Sequence, residues 1–176
     1  MNIINIHNEI FDYLYELYEK DRVFFLPRKT NSYNRLKEGY IFTGSKDHLQ
    51  VSFWDSSSKM KRAKTIGYTV EKDGSSYLEF NPRDYESEEN LRRAALVEEV
   101  VAFLRDDFEL AIEEPRPGYY RMDFSSEDYM ANLEEMLDYK YLIDEKIKNS
   151  KDSSLIPILD REACQKYIDK VLELHR

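Results

Sequence analysis

One cysteine, three histidines, five glycines and one tryptophan in 176 residues exclude several kinds of chemistry at once. A single thiol forbids an internal disulfide and any zinc site built from several cysteines. Histidines at 7, 48 and 175 are too scattered to make a ligand cluster. No metal site and a reducing, cytoplasmic setting are therefore expected. Glycines at 39, 44, 67, 74 and 118 cannot compose a GxGxxG turn, and no GK[ST] follows any of them, so a nucleotide cofactor and nucleotide hydrolysis are not expected. HExxH and GxSxG are also missing. The start, MNIINIHNEIFDYLYEL, has no basic leader region and no apolar run near twenty residues, which argues against a signal peptide and a membrane span.

What is present is aromatic and charged. Fourteen tyrosines and nine phenylalanines supply large areas to bury, so the chain is expected to fold despite a charged content of 35%. Its length fits one domain with a single core. The net charge of -9 is unevenly spread: residues 1 to 20 carry a net of -3, residues 21 to 64 a net of +6, and residues 65 to 176 a net of -12. Such asymmetry marks either a basic working surface on an acidic body or a cluster of solvated lysines.

Ile3, Ile6, Ile10, Leu14 and Leu17 recur at helical spacing and predict an amphipathic helix over 3 to 19, with His7 packed on its stripe. DRVFFLP reads as a strand closed by Pro27. GYIFTG and HLQVSFW, joined by SKD, read as a hairpin. KTIGYTVEKDGSSYLEF repeats the form around Asp73 and Gly74. Ser87 caps a predicted helix to about Phe108 through Leu91, Ala94, Val101 and Leu104. EEPRPG is a breaker, and YYRMDF adds a last strand. Ser125 and Asp128 form a capping box for a helix carrying Leu133, Met136, Leu137 and Tyr141. After the polar linker NSKDSS, Asp160 caps a final helix whose apolar face includes Cys164, a structural thiol. The expected fold class is α+β: an antiparallel β-meander of about five strands packed with an N-terminal helix and three C-terminal helices. Residues 1–149 would form the domain with the central sheet. Residues 150–176 would be a linker and C-terminal helix, packed on that domain or leading to a further one.

Catalysis finds little support. Most carboxylates sit at i, i+3 or i+4 on helix faces, where solvation accounts for them. A nuclease would need strand-borne acids near a lysine, but Glu79 is followed by Phe80 and Asn81, and Glu145 with Lys146 falls within a helix. A non-enzymatic role is expected.

Two stretches point to nucleic acid. The period of two in HLQVSFW sets Trp54 opposite its own strand's core face, near Lys59, Lys61 and Arg62. An exposed indole there would stack on a base while the cations hold phosphates; the alternative is that a C-terminal helix covers Trp54 as a second core layer. In the other stretch, Arg28, Lys29, Asn31, Ser32, Asn34 and Arg35 combine forked phosphate donors with amides able to pair with adenine. The alternative is a polar loop whose asparagines adopt turn conformations.

The pattern RKTNSYNRLKEGYIFTG, followed by a strand ending SFW, resembles the amino-terminal domains that precede the AAA+ motor in McrB-like proteins of modification-dependent restriction systems and related phage-defence NTPases, over about residues 20 to 80. The resemblance implies a domain that recognises DNA, often a modified base flipped into an aromatic pocket, with an AAA+ motor domain and a separate nuclease subunit as partners. It carries onto Arg28, Asn31, Asn34, Arg35, Tyr40 and Trp54 as candidate contacts. The chain departs from that family in its acidity and in having no motor domain. The first reading is a non-catalytic DNA-recognition module in which Trp54, with Tyr40 or Tyr33, engages a base. The alternative is a protein-interaction adaptor that docks a basic partner on its acidic helices, residues 87 to 148.

Overall fold

The structure is a computed structural model that describes residues 1–54, 66–81 and 87–175. Among these residues the chain forms four α-helices and one six-stranded antiparallel sheet, an α+β architecture. Helix α1 (Ile3–Glu19) begins where the Asn2 side chain accepts the Ile4 N–H, and buries Ile3, Ile6, His7, Ile10, Phe11, Leu14 and Tyr18. Leu17, expected in the stripe, is only partly buried; Phe11 and Tyr18 complete the buried face.

Strands β1 (Thr43–Gly44) and β2 (His48–Val51) make the first hairpin, and β3 (Ile66–Glu71) and β4 (Ser76–Phe80) the second. Helix α2 (Glu88–Phe108) is capped by Ser87, whose hydroxyl accepts the Asn90 N–H at 3.1 Å. It is followed by β5 (Glu113–Arg116) and β6 (Tyr119–Asp123). The order across the sheet is β1-β2-β3-β4-β6-β5, so the late hairpin adds through β6 onto β4. Helices α3 (Tyr129–Lys148) and α4 (Arg161–Leu174) close the fold.

Several expectations need correction. DRVFFLP is not a strand: Val23, Phe25 and Leu26 are buried, but the segment pairs with the sheet only through an isolated bridge between Leu26 and Ser52. EEPRPG does not break structure; it supplies β5. Pro115 is tolerated there because β5 is an edge strand paired only with β6, and Gly118 takes φ 75° in the tight turn between them. Asp128, not Ser125, caps α3, accepting from the N–H groups of Met130 and Ala131. On α2 the buried stripe is Leu96, Val97, Val100, Val101 and Leu104, which leaves Leu91 on the solvent side.

The sheet registers divide its two faces. Leu49, Val51, Ile66, Tyr68, Val70, Leu78, Phe80 and Met122 lie on one face and join a single apolar cluster with α1, α2, α3 and α4. Burying one such side chain contributes about 1.5 to 3 kcal/mol. Helix α4 packs against α1: the Tyr18 hydroxyl donates to Gln165 Oε1 at 2.5 Å, Arg161 reaches Asp21 and the Tyr18 carbonyl, and Cys164 is fully buried. The other face is polar, with Gln50, Thr69, Tyr77, Glu79, Tyr119 and Arg121 across four strands. No helix of the described residues is long and apolar enough to cross a membrane.

Candidate nucleic-acid interface

The segment between Pro27 and Phe42 is a loop closed at its neck by Arg28. The Arg28 backbone N–H donates to Ile41 O at 2.7 Å. Its side chain adds two more bonds, Nε to Tyr40 O and Nη2 to Phe42 O, each 3.0 Å. Leu36 anchors the loop in the core, and the Asn31 Oδ1 accepts the Leu36 N–H at 2.8 Å. Asn31 is therefore a turn-forming residue, as the polar-loop alternative requires. Arg28, half-buried, holds the neck.

Beyond the neck the chain makes a 3-10 turn, Ser32–Asn34, in which Tyr33 (φ 57°, ψ 28°) and Asn34 (φ 57°) both adopt the left-handed conformation. Asparagine tolerates this region; a tyrosine there is uncommon and costs about 1 to 3 kcal/mol. Tyr33 stands 90% exposed at the tip, and Ser32, Asn34, Arg35 and Lys37 of the same loop are exposed. Arg35 lies over the Tyr40 ring at 5.1 Å and pairs with Glu38 at 3.7 Å. Lys29 is exposed and lies over the Tyr167 ring at 5.6 Å. Tyr40 is half-buried, its ring edge-on to His7 at 5.6 Å, so it supports the loop from behind.

His7 sits under this neck. It is fully buried, stacked on Phe42, and its Nδ1 accepts the Phe42 N–H at 3.1 Å, which places the ring proton on Nε2. Burial, assisted by the charges of Arg28 and His175, lowers its pKa to about 3. The imidazole is neutral.

Trp54 is not at this interface. Its indole is 4% exposed, and Nε1 donates to Asp144 Oδ1 of α3 at 2.8 Å. The alternation that set it on the outward face stops at Val51, where β2 ends; Ser52 and Trp54 make only isolated bridges, to Leu26 and Ile158, and the chain turns the indole toward α3. The stacking role expected of Trp54 is thereby corrected to a core role. Lys59, Lys61 and Arg62 lie outside the described residues.

The polar face of the sheet carries a network the sequence reading missed. Glu79 accepts from Gln50 Nε2, from Thr69 Oγ1 at 3.0 Å and from the Tyr119 hydroxyl at 2.8 Å. The Tyr77 hydroxyl donates to Glu71 at 3.1 Å, and Arg121 stacks on the Tyr77 ring at 3.6 Å while pairing with Asp123 at 2.8 Å. Desolvation, with Glu79 and Glu71 beside it, raises the Tyr77 pKa to about 12; desolvation and the bond to Glu79 raise that of Tyr119. Both phenols stay protonated and serve as donors. The alternation of Glu79 with Leu78 and Phe80 was the available signal. Among the described residues no group of three His, Cys, Asp or Glu side chains could hold a metal ion.

Of the expected contacts, the structure brings Arg28, Lys29, Asn31, Asn34, Arg35 and Tyr40 into one loop, in which Lys37 is also exposed, and separates Trp54 from them. No family model matches the chain, and neither does any curated protein or solved structure.

Proposed function

We propose that the protein is a non-catalytic DNA-recognition module that engages DNA through the loop of residues 28–38. The observation that carries this reading is Tyr33: a tyrosine held 90% exposed in a left-handed conformation, in a loop whose Arg35 and Lys37 are also exposed. Solvent-facing aromatic surface in a costly backbone conformation is a typical mark of a contact site, and a planar ring on a loop that also exposes cations suits a base with its phosphates. Tyr33 thus takes the part first expected of Trp54. Lys29, Arg35 and Lys37 position the backbone, Asn34 offers an amide to a base edge, and Arg28, Asn31 and Tyr40 hold the loop. Membership of a restriction or phage-defence system, with an AAA+ motor and a nuclease subunit as partners, belongs to the same proposal and rests on the resemblance of residues 20 to 80.

The test is fluorescence anisotropy against unmodified and base-modified duplexes and a single strand, at two salt concentrations. Affinity should fall steeply as salt rises, and Tyr33→Ala should lose about 1 to 3 kcal/mol of binding. Negligible binding throughout, or a Tyr33→Ala protein that binds like the parent, would overturn the reading.

The adaptor reading is favoured by one observation. Tyr13, on α1, has its pKa raised by desolvation and then by Glu134, Tyr141, Glu16 and Asp138, so α1 and α3 present an acidic surface around it. A basic partner would dock there. Binding of such a partner that survives Tyr33→Ala and is lost on Glu134→Gln with Asp138→Asn would promote it.

A further inference from the structure

The neck of the loop has a second feature. Arg28 and Arg35 converge on Tyr40: Arg28 Nε donates to the Tyr40 carbonyl at 3.0 Å, the Tyr40 N–H donates to the Arg35 carbonyl at 2.9 Å, and the Arg35 guanidinium lies over the Tyr40 ring at 5.1 Å. Both bonds that fix the Arg28 side chain go to neutral carbonyl oxygens, those of Tyr40 and Phe42, which orient its plane without neutralising its charge. Arg35 has a carboxylate partner in Glu38, but at 3.7 Å between two half-exposed side chains, a pair of little worth that an incoming anion can displace. Partial burial disfavours the charge on Arg28, and Arg35 beside it does so further. Behind Tyr40, the fully buried His7 holds an Nε2 hydrogen with no bonding partner among the described residues.

We propose that Arg28 and Arg35, set about Tyr40, form a seat for a phosphate monoester, carried on the end of a nucleic-acid strand or free in solution. A monoester bears about -1.5 to -2 charges at pH 7 and three peripheral oxygens, whereas an internal diester bears one charge. Two neighbouring guanidiniums, one of them held in place by the carbonyls of Tyr40 and Phe42, match the former; lysines on flexible stems serve the latter equally well. The inference rests on the DNA-binding reading of this loop and adds a preference for phosphorylated ends.

The test measures anisotropy of one oligonucleotide sequence in three forms, with a 5′-phosphate, with a 3′-phosphate and with hydroxyl ends, with inorganic phosphate as competitor. One phosphorylated form should bind about tenfold more tightly than the hydroxyl form, about 1.4 kcal/mol, and inorganic phosphate should erase the difference. Arg35→Gln should abolish the preference, while Lys37→Gln weakens all three forms alike. Equal affinity of the three forms, with binding intact, overturns this inference and leaves the DNA-binding reading standing. Saturable binding of inorganic phosphate with no binding of any oligonucleotide supports the seat with a free ligand and overturns the DNA-binding reading instead.

Discussion

The Trp54 Nε1 donates to Asp144 Oδ1 at 2.8 Å, joining the end of the first hairpin to helix α3 across 90 residues of chain, and both side chains are buried. The indole is thus part of the frame that carries the loop and makes no contact from it. Trp54→Phe should keep most of the apolar packing and remove the one hydrogen bond, leaving Asp144 short of a donor, for a loss of about 1 to 3 kcal/mol. Trp54→Ala should cost about 3 to 5 kcal/mol. Urea unfolding followed by far-UV circular dichroism measures both. Oligonucleotide affinity of folded Trp54→Phe should equal that of the parent; a stable variant with impaired binding would return the indole to the interface.

Asp144 has a second partner. Lys140 Nζ lies 2.5 Å from its Oδ2 on the same face of α3, and both are nearly sealed from water. Charges so placed depend on each other. Lys140→Met should leave the buried Asp144 without its cation and destabilise the fold by about 3 to 5 kcal/mol. With Lys140→Met already made, Asp144→Leu should cost less than it does alone, because it removes the unpaired carboxyl group, although the buried Trp54 Nε1 loses its acceptor in either background. Single losses for Lys140→Met and Asp144→Leu that add up to the loss of the double variant, measured by urea titration, would show that the pair is not coupled.

These two relationships also show where the sequence was legible and where it was not. The stripe Ile3, Ile6, Ile10 and Leu14 and the alternation of Leu49 with Val51 are one-dimensional records of one-sided burial, and each marked its element correctly. Caps at Ser87 and Asp160 were legible for the same reason, since their bonds are local. Trp54 failed because alternation predicts a side only while the strand persists, and β2 ends three residues earlier. Lys140 and Asp144 have the i, i+4 spacing that helix carboxylates in general were expected to keep in solvent, yet both are buried, with Asp144 bonded to an indole far away in sequence. In the loop, residue types alone marked the segment, but only the positive φ of Tyr33 separates the tip from Asn31 and Tyr40, which look equally suited to contact and are engaged in holding it.

His7 makes stability depend on pH. Its folded pKa is near 3, against about 6.5 in the unfolded chain, so between these values the unfolded state binds the extra proton. Stability contributed by the neutral imidazole is complete above pH 6.5 and declines as pH falls toward 3, with a slope of at most about 1.4 kcal/mol per pH unit. Urea unfolding at intervals between pH 5 and 7.5 isolates this group from most carboxylates. His7→Phe should lose the bond from the Phe42 N–H, lowering stability at pH 7.5, and should flatten the slope. An unchanged slope in that variant would assign the pH dependence elsewhere.

Gly67 and Gln50 form the last testable pair. Their strands are adjacent, and the Gln50 side chain crosses Gly67 to reach Glu79 on the strand beyond; a Cβ at position 67 would collide with the Gln50 amide. Since the backbone at Gly67 is not in the left-handed region, the collision is the main cost of a methyl group there. Gly67→Ala should therefore destabilise by about 1 to 3 kcal/mol. Gln50→Ala should cost less, because Glu79 keeps Thr69 and Tyr119 as donors. In the double variant the collision disappears, so its loss should fall short of the sum of the single losses by about 1 kcal/mol or more. Strict additivity in a urea double-mutant cycle would mean that Gln50 yields without cost and that the polar face does not depend on its reach across the sheet.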